Sequence, residues 1–167
     1  SAAVPDASGD AAIADLAIGF ELAARDLYDA AIAAGASDDL WHVLREQHES
    51  YAQRVSGIVG TSANTPSATL FDSLSAAFSA AEPVAAAMAL ENTLAATHTE
   101  WLASVTNRNV AIAMASIVAL ESRHAAVLVA VLGERDHADS GTDLDRAVAH
   151  VLGQSSATAP RSGTPGT

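Results

Sequence analysis

The chain has 167 residues, half of them hydrophobic but only 4% aromatic, and its 20 acidic residues face eight Arg and no Lys, for a formal net charge of -12. That length suits one domain with a sizeable core, and the acidity argues against nucleic acid and anionic membrane surfaces as partners, since both are bound by cationic patches. Cysteine is absent, which excludes thiolate metal sites, iron-sulfur clusters, disulfides and cysteine nucleophiles.

Residues 1–9 hold Pro5, Asp6, Ser8 and Gly9 without an apolar period and read as a flexible lead-in. The start at Ser1, with no signal-like segment, is expected of a mature or trimmed form. From Asp10, a good N-cap residue, a helical period runs to about Ala34 and stops at Gly35. Its wide apolar face includes Ile13, Leu16, Phe20 and Leu27, and Glu21 sits inside that face with Tyr28 two turns further on.

Ser37 is the expected cap of a second helix running to about Val59 and ending at Gly60, with Asp38 and Asp39 in the first turn where the helix dipole favours negative charge. Its seam of Leu44, His48, Tyr51, Val55 and Ile58 points His48 inward, while Arg45 borders the seam three residues earlier. After a turn-rich loop at 61–66, a short helix over 68–80 makes a long crossover between the two halves of the chain. Pro83 then suits the first position of a third long helix, which runs to about Thr106. Its seam is Val84, Met88, Glu91, Ala95, His98, Leu102 and Val105. A tight Asn107-Arg108-Asn109 connection leads into the fourth, which is expected to end at Gly133. A short helix fits 143–152, and the Ser, Thr, Pro and Gly composition from 153 to 167 reads as a disordered tail.

The fourth long segment carries the most informative motif. Val110, Met114, Ile117, Glu121, His124, Leu128 and Val131 follow one another at alternating spacings of four and three, so Glu121 and His124 share the buried stripe. Glu-x-x-His puts both side chains on one helix face, one turn apart, where both can reach a single metal ion. A buried ionised carboxylate costs several kcal/mol or more unless it is paired, hydrogen-bonded or metal-bound, so other helices must answer it. Glu21, His48 and Glu91 are the residues placed to do so, with Tyr28 and His98 expected as donors to Glu21 and Glu91 respectively. The architecture that brings four such faces together is an all-α antiparallel four-helix bundle over 10–133, with 134–152 as a short C-terminal helical segment.

Ala89-Leu90-Glu91 and the run Ala119-Leu120-Glu121-Ser122-Arg123-His124-Ala125-Ala126 resemble the ferritin-like family that includes the bacterial and plant desiccation-related proteins. The resemblance covers about residues 10–133. It implies a ferritin-like bundle with a dinuclear metal site, often in exported or cell-envelope proteins, with Glu21, His48, Glu91, Glu121 and His124 as metal ligands. Iron or manganese suits mixed carboxylate and imidazole donors, with zinc or no metal as alternatives, and open metal positions would give an oxidase-like or peroxidase-like activity in stress protection. It leaves a homodimer open and names no protein partner.

The second helix departs from this scheme, because Arg45 stands three residues before His48 where a bridging Glu is expected, and Glu46 lies about 100° away around the helix. Arg45 could compete with metal for the carboxylates or extend outward along its stem. Without metal, Arg45 and Arg25 could join the acids in a buried ionic network, and the chain would then be a structural or interaction module. Gly-rich phosphate loops, Gly-x-Ser-x-Gly elbows and spaced zinc-finger patterns are missing. No uninterrupted apolar run reaches the roughly 18 residues of a membrane span.

Overall fold

The computed structural model of the chain describes residues 7–136; the expectations for residues 1–6, for the short helix at 143–152 and for the tail lie outside them. The described residues form five helices and no strand: α1 (Ala7–Ala33), α2 (Asp39–Val59), α3 (Ala68–Phe78), α4 (Val84–Leu102) and α5 (Arg108–Asp136). The four long ones are the bundle, and α3 lies in the crossover between α2 and α4.

Helix α1 packs along α2, and α4 packs along α5, so each hairpin joins two helices through a short connection. The hairpins close on each other through α2 against α5 and α1 against α4, while α3 covers α1 and α4. Gly35 (φ 111°) and Gly60 (φ 72°) take the left-handed conformation that stops α1 and α2, a backbone state that glycine adopts without steric penalty. At Gly60 the backbone N–H donates to the Ser56 carbonyl at 2.8 Å, satisfying one of the free carbonyls at the helix end.

Several helix ends differ from the sequence expectation, each for a local reason. Asp10 does not begin α1, which starts by Ala7; its carboxylate instead accepts from the backbone N–H groups of Thr106 and Asn107 and from the Thr106 hydroxyl, at 2.7–2.8 Å. It thereby ties the start of α1 to the α4–α5 connection. Asp38, not Ser37, occupies the N-cap of α2, and Pro83 precedes α4 at its N-cap, its carbonyl accepting from Ala87 at 2.9 Å. Helix α4 ends at Leu102 rather than near Thr106, and α5 continues through Gly133, because glycine interrupts a helix only where the chain takes the left-handed turn. Leu16 and Ile58, expected inside, are 52% and 36% exposed. The crossover is pinned to α1 by the Ser67 N–H, which donates to the Gly19 carbonyl at 2.8 Å, and the Ser67 side chain caps α3.

The core has three layers along the bundle axis. One apolar cluster contains Leu27, Tyr28, Trp41, Leu44, Phe78 and Leu128, with their neighbours. The other contains Ala14, Ile18, Leu22, Tyr51, Val55 and Ile117. Between them lies a polar layer from all four long helices. Segment 108–133 is long and apolar enough to cross a membrane by length and mean composition, although Glu121 interrupts it and no uninterrupted apolar run of that length occurs in it. In the fold this helix packs along α4 and carries Glu121 and His124 into the interior.

Candidate metal centre

Glu21 of α1, His48 of α2, Glu91 and His98 of α4, and Glu121 and His124 of α5 are all fully buried. Each lies on the apolar stripe of its helix, so packing the four stripes together buries them, and the helices are set at heights that bring them to one level. His48 spans two helices, its Nδ1 2.7 Å from Glu21 Oε2 and its Nε2 3.0 Å from Glu91 Oε1. Glu91 Oε2 meets His124 Nδ1 at 3.1 Å, and the Tyr28 hydroxyl donates to Glu91 Oε1. On the other side of the layer, His98 Nδ1 is 2.8 Å from Glu121 Oε1 and 3.6 Å from Glu21 Oε1.

Two triads result: His48, Glu91 and His124, and Glu21, His98 and Glu121, each with one donor atom per residue within 4.8 Å of the others. Imidazole nitrogens and carboxylate oxygens at this spacing fit a divalent cation. The second triad fits for a further reason. Glu21 Oε1 and Glu121 Oε2 are buried without a hydrogen-bond partner, a state that buried carboxylate oxygens rarely keep.

The accessory residues are arranged differently from the sequence reading. Tyr28 donates to Glu91, not Glu21, and His98 pairs with Glu121, not Glu91. A spacing of seven puts two residues on one helix face, but the partner of each is chosen by the facing helix. Arg45 does not enter the layer: its guanidinium lies 3.1 Å from Asp29 and also pairs with Glu49, one turn along its own helix. Arg25 pairs with Asp26 rather than Glu21. Glu46 and His42 are exposed, whereas His137 and His150 lie outside the described residues.

Two contributors were not nominated from the sequence. The Gln47 carboxamide, partly exposed, hydrogen-bonds His124 Nε2 at 2.5 Å. Tyr51 stacks on His124 with ring centroids 6.4 Å apart, meets His48 edge-on at 6.0 Å, and has a buried hydroxyl without a partner. Its place on the α2 seam, three residues after His48, was the available signal; Gln47 gave none, because residue i−1 normally points away from its neighbour's face. The Tyr28 ring stacks on His48 at 5.4 Å, and the Trp101 ring packs 5.5 Å from His98.

The electrostatics follow from burial and pairing. Burial lowers the His48 pKa, but the charges of Glu91 and Glu21 and the bonds to them outweigh it and hold this imidazole well above its ordinary value. Burial likewise opposes ionisation of Glu91, yet the His48 charge and the hydrogen bonds from His124 and His48 keep its carboxyl below the usual range. Glu121 goes the other way: burial pushes it up to about 7, the His98 hydrogen bond only partly offsets this, and the neighbouring Glu21 charge adds to it. His98 is raised, the Glu121 hydrogen bond and the two acids overcoming burial, and Tyr28 is raised by burial and by Glu91, so its hydroxyl stays a donor.

The family model described as a ferritin-like domain matches residues 9–134, so the chain belongs to the ferritin-like domain family. Comparison with curated proteins and with solved structures gives no match.

Proposed function

We propose that the centre of this bundle binds divalent metal, iron or manganese being the ions best matched to mixed carboxylate and imidazole donors. The observation that carries this reading is the gathering of three buried carboxylates and three buried imidazoles at one level of an otherwise apolar interior. Each buried charge costs several kcal/mol unless it is compensated, and a bound cation compensates the acids together. Glu21, Glu91 and Glu121 would balance the charge of the metal, and His48 and His124 would hold it in place. Tyr28, donating to Glu91, fixes the orientation of that carboxylate. When bound, a redox-active ion would supply chemistry toward oxygen or peroxide, consistent with a role in stress protection.

One observation favours a second reading. His48 already bridges Glu21 and Glu91 with both ring nitrogens, so a charged imidazole partners two acids without any ion, as a metal-free structural bundle would require. Elemental analysis of protein purified without chelator, followed by anaerobic titration of the stripped protein with ferrous and manganous ions, separates the two. Near-stoichiometric metal supports the first reading; protein that takes up neither ion is the metal-free network.

A further inference from the structure

We infer that His98 is itself a metal ligand, forming with Glu21 and Glu121 a carboxylate-rich site beside an imidazole-rich site of His48, Glu91 and His124. This rests on the metal-binding reading above and assigns two inequivalent positions to it.

Helix α2 brings one donor to the layer instead of two. The residue three before His48 is Arg45, and its guanidinium is held on the outside of the bundle by Asp29 and Glu49. His98 supplies the missing donor from a different helix. It is fully buried, and its Nδ1 faces both acids of the triad, 2.8 Å from Glu121 and 3.6 Å from Glu21. Trp101 against one side of the ring and Phe20 against Trp101 hold it in that orientation.

The unmet hydrogen-bonding capacity is concentrated on this side of the layer. In the other triad Glu91 is engaged through both oxygens, by Tyr28, His48 and His124, and both nitrogens of His48 and of His124 have partners. In the His98 triad, Glu21 Oε1 and Glu121 Oε2 have none, and neither does His98 Nε2. The acids of this triad keep two carboxylate oxygens without donors, and each of its residues brings a ligand atom within 4.8 Å of the others, an arrangement that a cation would complete. Charge allows both positions to fill. Two divalent ions against three carboxylates leave a single excess positive charge, and with Arg45 turned outward its guanidinium does not add to it. The oxygen-rich position suits manganous or ferrous ions, whereas the imidazole-rich position also suits zinc.

The test uses the full chain labelled with 15N-histidine, stripped of metal and loaded with 113Cd(II). Three imidazole rings coupled to cadmium are expected, those of His48, His98 and His124; a His98 that merely hydrogen-bonds Glu121 would leave two. Two coupled rings in a cadmium-loaded protein overturn the inference and leave the metal reading intact. Failure to bind cadmium, ferrous or manganous ions overturns both. His98→Gln, checked for folding by circular dichroism, should weaken one of two titrating ions by at least about tenfold, since even indirect partners of a metal site are worth that much. An unchanged two-ion titration in the folded variant overturns the inference, and the labelled parent chain decides the matter if the variant does not fold.

Discussion

Arg45 reaches Asp29 across the α1–α2 hairpin, with Nε 3.1 Å from the carboxylate oxygen, and that contact turns its charge away from the buried acids. The guanidinium is therefore not a competitor for metal. Arg45→Ala is expected to leave metal affinity within about threefold and to lower stability by only about 0.2–1 kcal/mol, the range for partly exposed ion pairs. Titration calorimetry and urea denaturation of the same preparation check both. A large gain in affinity would mean that the side chain enters the layer in solution.

Tyr28→Phe keeps the ring that stacks on His48 and deletes the hydroxyl that donates to Glu91. A buried carboxylate oxygen would lose one of its two donors, so the variant should unfold about 1–3 kcal/mol more easily than the parent in metal-free buffer. Equal urea midpoints would show that the hydroxyl does not hold Glu91.

Metal binding should strengthen as pH rises. In the metal-free protein the pKa values of His48 and His98 are raised by their acidic partners, and Glu121 is pushed up to about 7 by burial. All three must shed protons to bind an ion, so affinity increases through neutral pH and protons are released. Calorimetry in buffers of different ionisation enthalpy reads that release directly. A proton count of zero at pH 6 would contradict the paired network.

Without metal the dependence of stability on pH has the opposite sign. A histidine raised on folding stabilises fully below its unfolded value and loses that contribution as pH climbs through the folded one. Glu121, also raised, disfavours the fold progressively as pH rises from its unfolded value toward about 7. Glu91, held low, contributes above its unfolded value and loses its contribution only in acid. The stripped protein should therefore be most stable in mildly acidic buffer and soften above neutrality, and saturating metal should remove the softening. Melting curves from pH 5 to 9, with and without metal, measure it.

Gln47 is the partly exposed side chain hydrogen-bonded to the buried six, through His124 Nε2. Gln47→Ala should open a route between α2 and α5, so that stripped protein takes up metal severalfold faster and loaded protein yields it faster to a chelator, with little change in affinity. Stopped-flow uptake monitored by tryptophan fluorescence tests this. Unchanged rates would place the route elsewhere.

The five residues read as a metal set were legible because helical periodicity is a local property: a Glu or His on an apolar stripe is buried whatever the stripe packs against. The same periodicity marked the four long helices, and of the three glycines read as their stops Gly35 and Gly60 end a helix while α5 runs on through Gly133. What it could not decide was partnership. Tyr28 and His98 each follow a glutamate by seven residues, and both bond a carboxylate on a different helix. Arg45 borders the same seam as His48, yet Asp29 on α1 and Glu49 draw it outward. Asp10 looked like the start of a helix and serves a connection 96 residues away. Sequence alone marked the Glu and His side chains of the four stripes for burial, because stripe position is set within a single helix, although Leu16 and Ile58, marked by the same reading, are not buried. Only the tertiary structure decided which of them meet, because hydrogen bonds and donor sets depend on the rotation and height at which one helix is set against another, and those are fixed by the packing of all four.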